Sequence, residues 1–507
     1  MTRNVGYNFA AQIWFLVLAV VTTPYVVSEL GVEVYGLFAL VTSLMGYFAF
    51  LDLGLGVATV KYISEFSGRR DDKAVQRIVA TSIGAYLVLG AAGSACIALL
   101  SSFLVKHLLD LPLELTDLAR ASLYVAALGF LVNMPLSVFG SIPNALQRMD
   151  LTNRRSMLFG TASAAGTVVL LWLGYGLLAV LMLTAAASAV AAVSFALLAR
   201  RLLPSVSFRP RLDGATLRLL AGFGSLKFAN QVATQSVYHL DKFLVAALVS
   251  VSAVTYYAVP VTIAQRLAAL VGNVSAAFLP AASELHGEGD RARFEELYLR
   301  STKLVAIIVL PIGSLLVVFS EPILRLWLGG QFAAESADVL RVLAAAYVVN
   351  AFSTMPAIAS DSVGRPRVTT AFSVASLALN VGLSVVLIPA FGILGAAFAV
   401  LVNSLLLVPP FVYYVHHRVL GLGLLDLGRE SLLRPSVATV VSLGPMIALS
   451  FAGDAGSALL VSVLAASALY LVAAIGLGVF DERDRRLARE YLQRLGLRAA
   501  SVRVRTP

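Results

Sequence analysis

Residues Ala390–Val408 read AFGILGAAFAVLVNSLLLV and contain no charged side chain. An α-helix of this length rises about 28 Å, close to the thickness of the hydrocarbon core of a bilayer. Apolar stretches of similar length recur from Phe9 to Phe480, and no stretch between them is long enough to form a separate soluble domain. The sequence therefore predicts an all-α, polytopic membrane protein.

The composition supports this prediction. Of the 507 residues, 59% are hydrophobic and 13% are charged, and the mean hydropathy is +0.87. A water-soluble fold of this size does not hide so much apolar surface. The first apolar run is too long, and Met1–Asn8 is too polar, for a cleaved secretory signal, so we expect the first helix to stay in the mature protein.

The spacing of the apolar stretches predicts about fourteen transmembrane helices. We expect them at residues 9–28, 36–60, 78–105, 119–142, 157–174, 177–199, 219–249, 254–280, 303–325, 338–360, 368–388, 392–415, 435–452 and 457–480.

The distribution of basic residues predicts the orientation. With a cytoplasmic N-terminus, 31 of the 38 Lys and Arg residues fall on the cytoplasmic side, whereas the outer connections hold only Lys106, Arg120 and Arg325. Short loops rich in Lys and Arg stay in the cytoplasm. The sequence thus predicts a multi-pass protein of the cytoplasmic membrane with both termini inside. Topology and contact with anionic lipids account for the net charge of +10, so no nucleic-acid partner is predicted.

Three pairs of short segments repeat at an offset of roughly 216 to 219 residues. The pairs are Tyr7–Gln12 (YNFAAQ) with Leu226–Gln231 (LKFANQ), Phe130–Asn133 (FLVN) with Tyr347–Asn350 (YVVN), and Gly174–Val180 (GYGLLAV) with Ala390–Ala396 (AFGILGA). Six predicted helices separate the copies, so both halves share one orientation. This predicts a parallel duplication about a pseudo-twofold axis along the membrane normal.

The duplication predicts four parts of the chain. Residues 1–218 would form an N-terminal lobe of helices 1 to 6, and residues 219–416 a C-terminal lobe of helices 7 to 12. Residues 417–480 would hold helices 13 and 14, outside the duplication. The basic tail 481–507 alternates basic and apolar residues, which is typical of an amphipathic helix on the cytoplasmic face.

Three segments resemble a known family. Gly31–Ser64, which contains GVEVYGLFALVTSLMGYFAFLDLGLG, is similar to the opening of polysaccharide biosynthesis flippases of the O-antigen exporter type, and Leu240–Tyr257 and Ile323–Phe332 (ILRLWLGGQF) also resemble that family. It belongs to the multidrug, oligosaccharidyl-lipid and polysaccharide exporter superfamily, which also holds lipid II flippases and cation-coupled drug exporters. The resemblance implies two six-helix lobes around a cavity, with two extra helices in the lipid II and polysaccharide branches.

Predicted helix 7 carries a polar stripe. Lys227, Gln231, Thr234, Tyr238 and Asp241 lie at i, i+4, i+7, i+11 and i+14, which places them on one helix face. Such a stripe on a membrane helix is expected to point inward. Lys227 lies in the cytoplasmic half, where it can meet a diphosphate as a point charge, or else extend to the inner head groups.

Predicted helix 8 carries Arg266 near the middle of the membrane, about 18 Å from the start of the helix. Because an exposed charge there costs at least about 2.5 kcal/mol, we expect Arg266 to contact substrate in a cavity. The alternative is a structural ion pair with Asp241 or Asp52. Gln265 and Asn273 offer hydrogen bonds on nearby faces of the same helix and complete the candidate binding set.

Asp241, Lys242 and Asp52 are candidates either for ion coupling or for ion pairing. Asp241 can carry a proton or cation, but Lys242 and His239 beside it can also pair with it. Asp52, in the inner half of predicted helix 2, has the same two interpretations.

These features predict a transporter that flips lipid-linked oligosaccharide, of the polyprenyl-diphosphate type, to the outer leaflet by alternating access of two lobes. The partners would be that substrate, membrane lipids, and glycan polymerases or glycosyltransferases. One alternative is a cation-coupled multidrug antiporter of the same superfamily, which an acidic cavity would favour. Another is a membrane scaffold for envelope assembly that does not transport.

Enzymatic activity is not predicted. No G-x-x-x-x-G-K-[ST] phosphate loop occurs, and the five histidines show no paired-ligand spacing, so neither a nucleotide cofactor nor a metal site is expected. The single cysteine, Cys96, lies in an apolar stretch and predicts no disulfide or cysteine metal cluster. A glycan polymerase or ligase would present a large outer loop, whereas the longest predicted outer connection has only about a dozen residues.

Overall fold

The computed structural model describes residues 2–105, 113–423, 427–450 and 456–480. Within these ranges every regular element is helical, and eleven helices are long and apolar enough to cross a membrane. The prediction of an all-α, polytopic membrane protein is therefore confirmed. The total of fourteen spans stays a prediction. The amphipathic helix predicted for residues 481–507 lies outside the described residues.

The helices follow one another with short connections, and the first is interrupted by a kink at Gly31, where φ is 74°. In chain order they are α1 (Thr2–Phe48), α2 (Leu55–Gly68), α3 (Asp72–Phe103), α4 (Leu113–Ala145), α5 (Met149–Trp172), α6 (Leu177–Leu202), α7 (Gly214–Leu248), α8 (Val251–Glu288), α9 (Arg291–Val318), α10 (Ser320–Leu328), α11 (Gly330–Ala351), α12 (Thr354–Ser362), α13 (Pro366–Phe391), α14 (Ile393–Tyr414), α15 (Leu433–Ser450) and α16 (Gly456–Gly476). A 3₁₀ segment spans Ala49–Asp52, and π-helical segments span Val415–Val419 and Leu427–Leu432.

Three predicted spans contain breaks that hydropathy does not reveal. The span predicted at 36–60 is interrupted by the 3₁₀ segment and by Leu53 and Gly54, with φ of 51° and 75°. The span at 303–325 breaks at Phe319, and the span at 338–360 breaks after Ala351. At Leu53, Gly54 and Phe319 the backbone leaves the helical conformation, whereas Phe352 and Ser353 keep helical dihedral angles between two separate helices.

Gly54 shows why the first of these breaks is glycine-rich. A Cβ atom at Gly54 would lie 2.4 Å from the carbonyl oxygen of Gly224 in α7. In turn, a Cβ atom at Gly224 would lie 2.8 Å from the carbonyl oxygen of Leu53. Small residues allow membrane helices to approach this closely. The LDLGLG sequence therefore positions the start of α2 against α7.

Contacts divide the chain into two compact units. Unit 1 comprises residues 1–263 and 366–407, and unit 2 comprises residues 264–365 and 408–507. This division describes packing within the chain. The repeated lobes expected at 1–218 and 219–416 stay a prediction.

In unit 1, α3 packs against α4, α4 against α6, α1 against α5, and α7 against α13. Small residues again set the close crossings: a Cβ atom at Gly93 of α3 would lie 2.4 Å from the ring of Phe130 in α4. The hydroxyls of Thr59 and Ser82 bond over 2.8 Å and join α2 to α3.

In unit 2, α9 is the helix around which the others pack. It contacts α11, α15 and the π-helical segment Leu427–Leu432. Gly313 gives α9 its close approach to α11, since a Cβ atom there would lie 2.1 Å from Val348. The hydroxyl of Ser431 donates to the carbonyl oxygen of Leu299 over 2.8 Å and fixes the π-helical segment.

Candidate functional site

Helix α7 begins at a capping residue. The carboxylate of Asp213 accepts a hydrogen bond from the backbone N–H of Thr216 over 3.0 Å and another from the Thr216 hydroxyl. Asp is favoured at this position because it satisfies an N–H group that the helix leaves without a partner. These hydrogen bonds from Thr216 hold the pKa of the Asp213 carboxyl below its ordinary value. The cap fixes the start of the helix that carries Asp241.

Asp241 lies inside unit 1 and is hydrogen bonded to α8. Its side chain is 5% exposed, and Oδ2 accepts a hydrogen bond from the hydroxyl of Tyr257 over 3.1 Å. Its other oxygen, Oδ1, is buried and accepts no hydrogen bond within the described part of the chain. A buried carboxylate oxygen without a partner is costly. Asp241 therefore has the capacity to bind a proton or a small cation.

A polar face of α13 meets α7 beside this carboxylate. Ser376, Asn380 and Ser384 are spaced four residues apart, lie on one face, and are all buried. Ser384 lies against Asp241, and Ser376 accepts a hydrogen bond from Asn403 of α14 over 2.8 Å. The amide nitrogen of Asn380 has no partner among the described residues. Asn403 thus joins two helices, as expected for a membrane Asn.

His239 and Lys242 flank Asp241 without supplying its hydrogen bond. The ring of His239 packs against Gly46 of α1, where a Cβ atom would lie 2.6 Å from Nε2. Lys242 is half-buried and close enough to act on Asp241 through its charge. The hydrogen bond that Asp241 makes is with Tyr257, so the structure gives Asp241 a neutral partner.

Asp52 lies at the break between the 3₁₀ segment and α2. Its carboxylate accepts hydrogen bonds from the backbone N–H of Gly56, at 3.1 Å and 3.3 Å, and from the hydroxyl of Tyr86 in α3. We predicted a position within a continuous helix, which is wrong because the backbone turns at Leu53 and Gly54. Asp52 satisfies an N–H group in the first turn of α2 and ties that turn to α3.

Arg266 and Gln265 point away from the packed face of α8. Ala264, Leu267 and Val271 are buried on one side of this helix. Because successive residues are rotated by 100° about the helix axis, Arg266 and Gln265 each lie roughly 130° around the axis from the centre of that buried side. Both side chains are half-buried. Among the described residues of unit 2, Arg266 makes no hydrogen bond or ion pair. The packing of its own unit therefore does not explain this charge.

The remaining candidates fall outside the described side chains. They are Lys227 and Gln231 of α7 and Asn273 of α8. Their proposed contacts with substrate stay predictions.

The sequence alone did not indicate Tyr257 or Ser384 as neighbours of Asp241. Tyr257 is sixteen residues away and Ser384 belongs to a helix much later in the chain. The four-residue spacing of Ser376, Asn380 and Ser384 in an otherwise apolar helix was the available signal. It indicates a buried polar face but not which helix covers that face.

Solved structures with a similar fold are transporters. A lipid II flippase, MurJ, in an inward closed conformation aligns with a TM-score of 0.71 at 14% identity, covering 98% of this chain and 100% of that chain. An inward-facing multidrug resistance transporter of the MATE family, in the MOP superfamily, aligns with a TM-score of 0.67 at 18% identity, covering 82% of this chain and 94% of that chain. At these identities the likeness shows the fold.

Curated relatives cover most of the chain. A putative O-antigen transporter of Shigella flexneri is 21% identical over 80% of this chain and 96% of the relative. A probable flippase, AglR, of Haloferax volcanii is 24% identical over 80% of this chain and 81% of the relative. The family model described as "Polysaccharide biosynthesis protein" matches residues 30–337, more than half of the chain. This multi-pass membrane chain therefore belongs to the polysaccharide biosynthesis protein family.

Proposed function

We propose that this protein flips lipid-linked oligosaccharide or polysaccharide repeat units from the inner to the outer leaflet of the cytoplasmic membrane. The carrier lipid would be of the polyprenyl-diphosphate type. The family supports this proposal, as do the names of its relatives: a putative O-antigen transporter and a probable flippase. The similar fold of a lipid II flippase is consistent with a lipid-linked cargo.

One observation carries the assignment of a phosphate-bearing cargo. Arg266 lies about 22 Å from the start of α8 at Val251, inside a span that is apolar enough to cross the membrane. It points away from the core of its unit and makes no ion pair among the residues described there. A guanidinium in the membrane requires an anionic or polar partner, and its planar donors match phosphate oxygens. Arg266 would therefore contact the diphosphate, and Gln265, Lys227, Gln231 and Asn273 stay further candidates for substrate binding.

The mechanism we propose is alternating access by two lobes, 1–218 and 219–416. The head group would enter a basic cavity from the inner leaflet while the polyprenyl chain stays in lipid. Rocking of the lobes would then expose the head group outward. For a diphosphate of charge near −2, leaving a negative interior gains about 4 to 5 kcal/mol per 100 mV. The membrane potential is thus sufficient to drive the step.

A cation-coupled antiporter is the second candidate, and Asp241 is the observation that favours it. Its Oδ1 is buried and accepts no hydrogen bond from the described residues. A drug antiporter could use this carboxylate to exchange a cation for its cargo, and the MATE-like fold is compatible with that activity. If the protein is a flippase, Asp241 would instead bind the ion that couples to transport, and Lys242 would pair with Asp241 when that ion is absent. Asp52, with its hydrogen bonds filled, would position α2.

The proposal also includes the orientation of the chain in the membrane and its partners. The basic loops support a cytoplasmic location for both termini and for the tail 481–507, and the two helices predicted in 417–480 would lie outside the duplication. The partners would be the lipid-linked substrate and the glycosyltransferases or polymerase that make and consume it.

The decisive experiment measures flipping of a fluorescent polyprenyl-diphosphate oligosaccharide in proteoliposomes. We expect Arg266→Gln to lower the initial rate at least tenfold and Arg266→Lys to retain part of it, because Lys keeps the charge without the planar fork. Arg300→Gln is the matched control, since Arg300 pairs with Glu296 near the cytoplasmic end of α9.

The outcomes separate the three functions. A normal rate in Arg266→Gln contradicts the proposed role of Arg266. Export of cationic drugs without glycan flipping supports the antiporter. Failure of the wild-type protein to move either cargo, together with normal glycan export in cells carrying Arg266→Gln, supports the scaffold.

A further inference from the structure

Unit 2 contains a basic cleft that none of the transport candidates lines. It has a volume of about 320 Å³ and is built from the end of α8, the start of α9, the corner before α13 and the π-helical segment after α14. Its walls carry His286, Arg291 and Arg365 beside apolar side chains such as Phe294. These segments fall on the side of the membrane that the charge distribution assigns to the cytoplasm.

Arg291 is held in place by the chain that follows α14. Its Nη2 donates to the carbonyl oxygens of Leu420 and Gly421, over 3.3 Å and 3.0 Å. Gly421 has a φ of 66°, and a Cβ atom there would lie 2.9 Å from that nitrogen. An arginine has five N–H donors. The two carbonyls therefore orient the guanidinium and leave further donors for a ligand.

Arg365 is anchored through its backbone. Its N–H donates to the carbonyl oxygen of Ser360 over 2.9 Å, and the Ser360 hydroxyl donates to the Arg365 carbonyl oxygen over 3.0 Å. Its side chain is exposed in the cleft and makes no ion pair with the described residues. Across the cleft, the ring of His286 lies against Phe294 with centroids 6.5 Å apart.

The lining of this cleft is basic and apolar in the part of the chain that the structure describes. None of its described lining residues is acidic. Asp290, which begins α9, accepts a hydrogen bond from the backbone N–H of Arg293 over 3.2 Å and pairs with the Arg293 side chain at 3.4 Å. Its carboxylate is therefore engaged at the helix start. Arg291 and Arg365 remain the dominant charges of the cleft.

We infer that this cleft binds the phosphate of an anionic inner-leaflet lipid. Two guanidinium groups, that of Arg291 held by carbonyl oxygens and that of Arg365 free to reach a ligand, suit a phosphate because arginine offers planar, bidentate donors. The apolar walls beside them suit the glycerol and first methylenes of a lipid better than a free ion. The cleft volume is at the lower end of the range for ligand-binding sites, so the cleft accommodates a lipid head group rather than an oligosaccharide. This inference does not depend on the transported cargo.

The test uses the full-length protein in detergent and native mass spectrometry, titrated with phosphatidylglycerol and, separately, with phosphatidylcholine. We expect preferential binding of phosphatidylglycerol, weakened about tenfold or more by Arg365→Gln, the effect of losing a charge-assisted hydrogen bond. Arg367→Gln is the matched control because it removes a nearby exposed charge that does not line the cleft. It should change the affinity less than twofold.

Arg365→Gln is the primary variant because the Arg365 side chain makes no hydrogen bond or ion pair with the described residues, whereas Arg291→Gln also removes two bonds to carbonyl groups. Equal weakening by Arg367→Gln and Arg365→Gln would overturn the inference in favour of general attraction to a basic face. Equally strong competition by inorganic phosphate would overturn it in favour of a soluble anion. Unchanged affinity in a folded Arg365→Gln protein would overturn it outright.

Discussion

The hydroxyl of Tyr257 donates to Oδ2 of Asp241 over 3.1 Å and joins α8 to α7 within unit 1. On the other side of the carboxylate, Oδ1 and the hydroxyl of Ser384 are buried close to each other, and neither makes a hydrogen bond of normal geometry with the described residues. A half-satisfied carboxylate in a low-dielectric interior binds a positive charge more readily than one that is fully hydrogen bonded. This arrangement makes Asp241 the best-supported candidate for ion coupling.

Asp241→Asn should remove that coupling while preserving the shape of the side chain. An amide neither takes up a proton near neutral pH nor neutralises a bound cation. We expect flipping by this variant to become independent of sodium concentration and of an imposed pH gradient, measured in proteoliposomes with the same fluorescent substrate. Asp117→Asn, at an exposed carboxylate of α4, should keep the wild-type ion dependence. If Asp241→Asn responds to both gradients as the wild type does, Asp241 is not the coupling group.

Tyr257→Phe tests the donor of the same hydrogen bond, the hydroxyl of Tyr257. It keeps the buried ring but leaves Oδ2 of Asp241 without its donor, which should lower the free energy of unfolding by about 1 to 3 kcal/mol. Thermal unfolding in detergent measures the loss. Tyr124→Phe is the control, because Tyr124 is exposed on α4 and its hydroxyl should contribute little. Similar unfolding temperatures for the two variants would mean that the Tyr257 hydroxyl does not stabilise the buried carboxylate.

Much of the fold could be predicted from the sequence because membrane helices must be long, apolar and internally hydrogen bonded. The stretch Ala390–Val408 illustrates this, since helices α13 and α14 cover it except at Gly392, where φ is 58°. The breaks were not predictable from hydropathy. At Leu53 an apolar residue adopts a φ of 51°, which depends on the close approach of Gly54 to Gly224 rather than on any local preference.

The candidate site was predictable only in part, for a related reason. An isolated charge in an apolar helix identifies Arg266 or Asp241 directly, because the bilayer makes such residues expensive. Their partners come from other helices, so Tyr257 and Ser384 become visible only when α8 and α13 are packed beside α7. For Asp52 the sequence left ion coupling and ion pairing open, and its hydrogen-bond partners in the structure, Gly56 and Tyr86, are both neutral.

Asp213→Ala should make the stability of the protein less sensitive to a change of pH in the acid range. The hydrogen bonds from Thr216 lower the pKa of Asp213 in the folded state, so its contribution is fully present above the unfolded pKa of about 4. It is lost as the pH falls through the folded pKa. We therefore expect a lower melting temperature for the variant at pH 7 and a difference that shrinks below about pH 4.

Asp213→Asn is the control for that experiment, because Asn also caps helices but does not titrate. Its melting temperature should exceed that of Asp213→Ala at pH 7, since the cap is retained. If the difference in melting temperature between the wild type and Asp213→Ala stays constant from pH 7 to pH 3, the ionised carboxylate does not act as a cap.

Gly54→Ala should be one of the most damaging single-methyl additions in unit 1. The new side chain would have to adopt a φ of 75° and would meet the carbonyl oxygen of Gly224 at 2.4 Å. A left-handed conformation costs a residue with a Cβ atom about 1 to 2 kcal/mol, and overpacking costs about 1 to 3 kcal/mol more.

Two variants serve as controls. Gly224→Ala adds a methyl group at the same crossing from the α7 side, but Gly224 lies within the regular helix, so this variant should lose less stability than Gly54→Ala. Gly68→Ala, which meets nothing within 4 Å at the end of α2, should leave the melting temperature unchanged or slightly higher. Equal melting temperatures for Gly54→Ala and Gly68→Ala would show that α2 does not depend on a close crossing with α7.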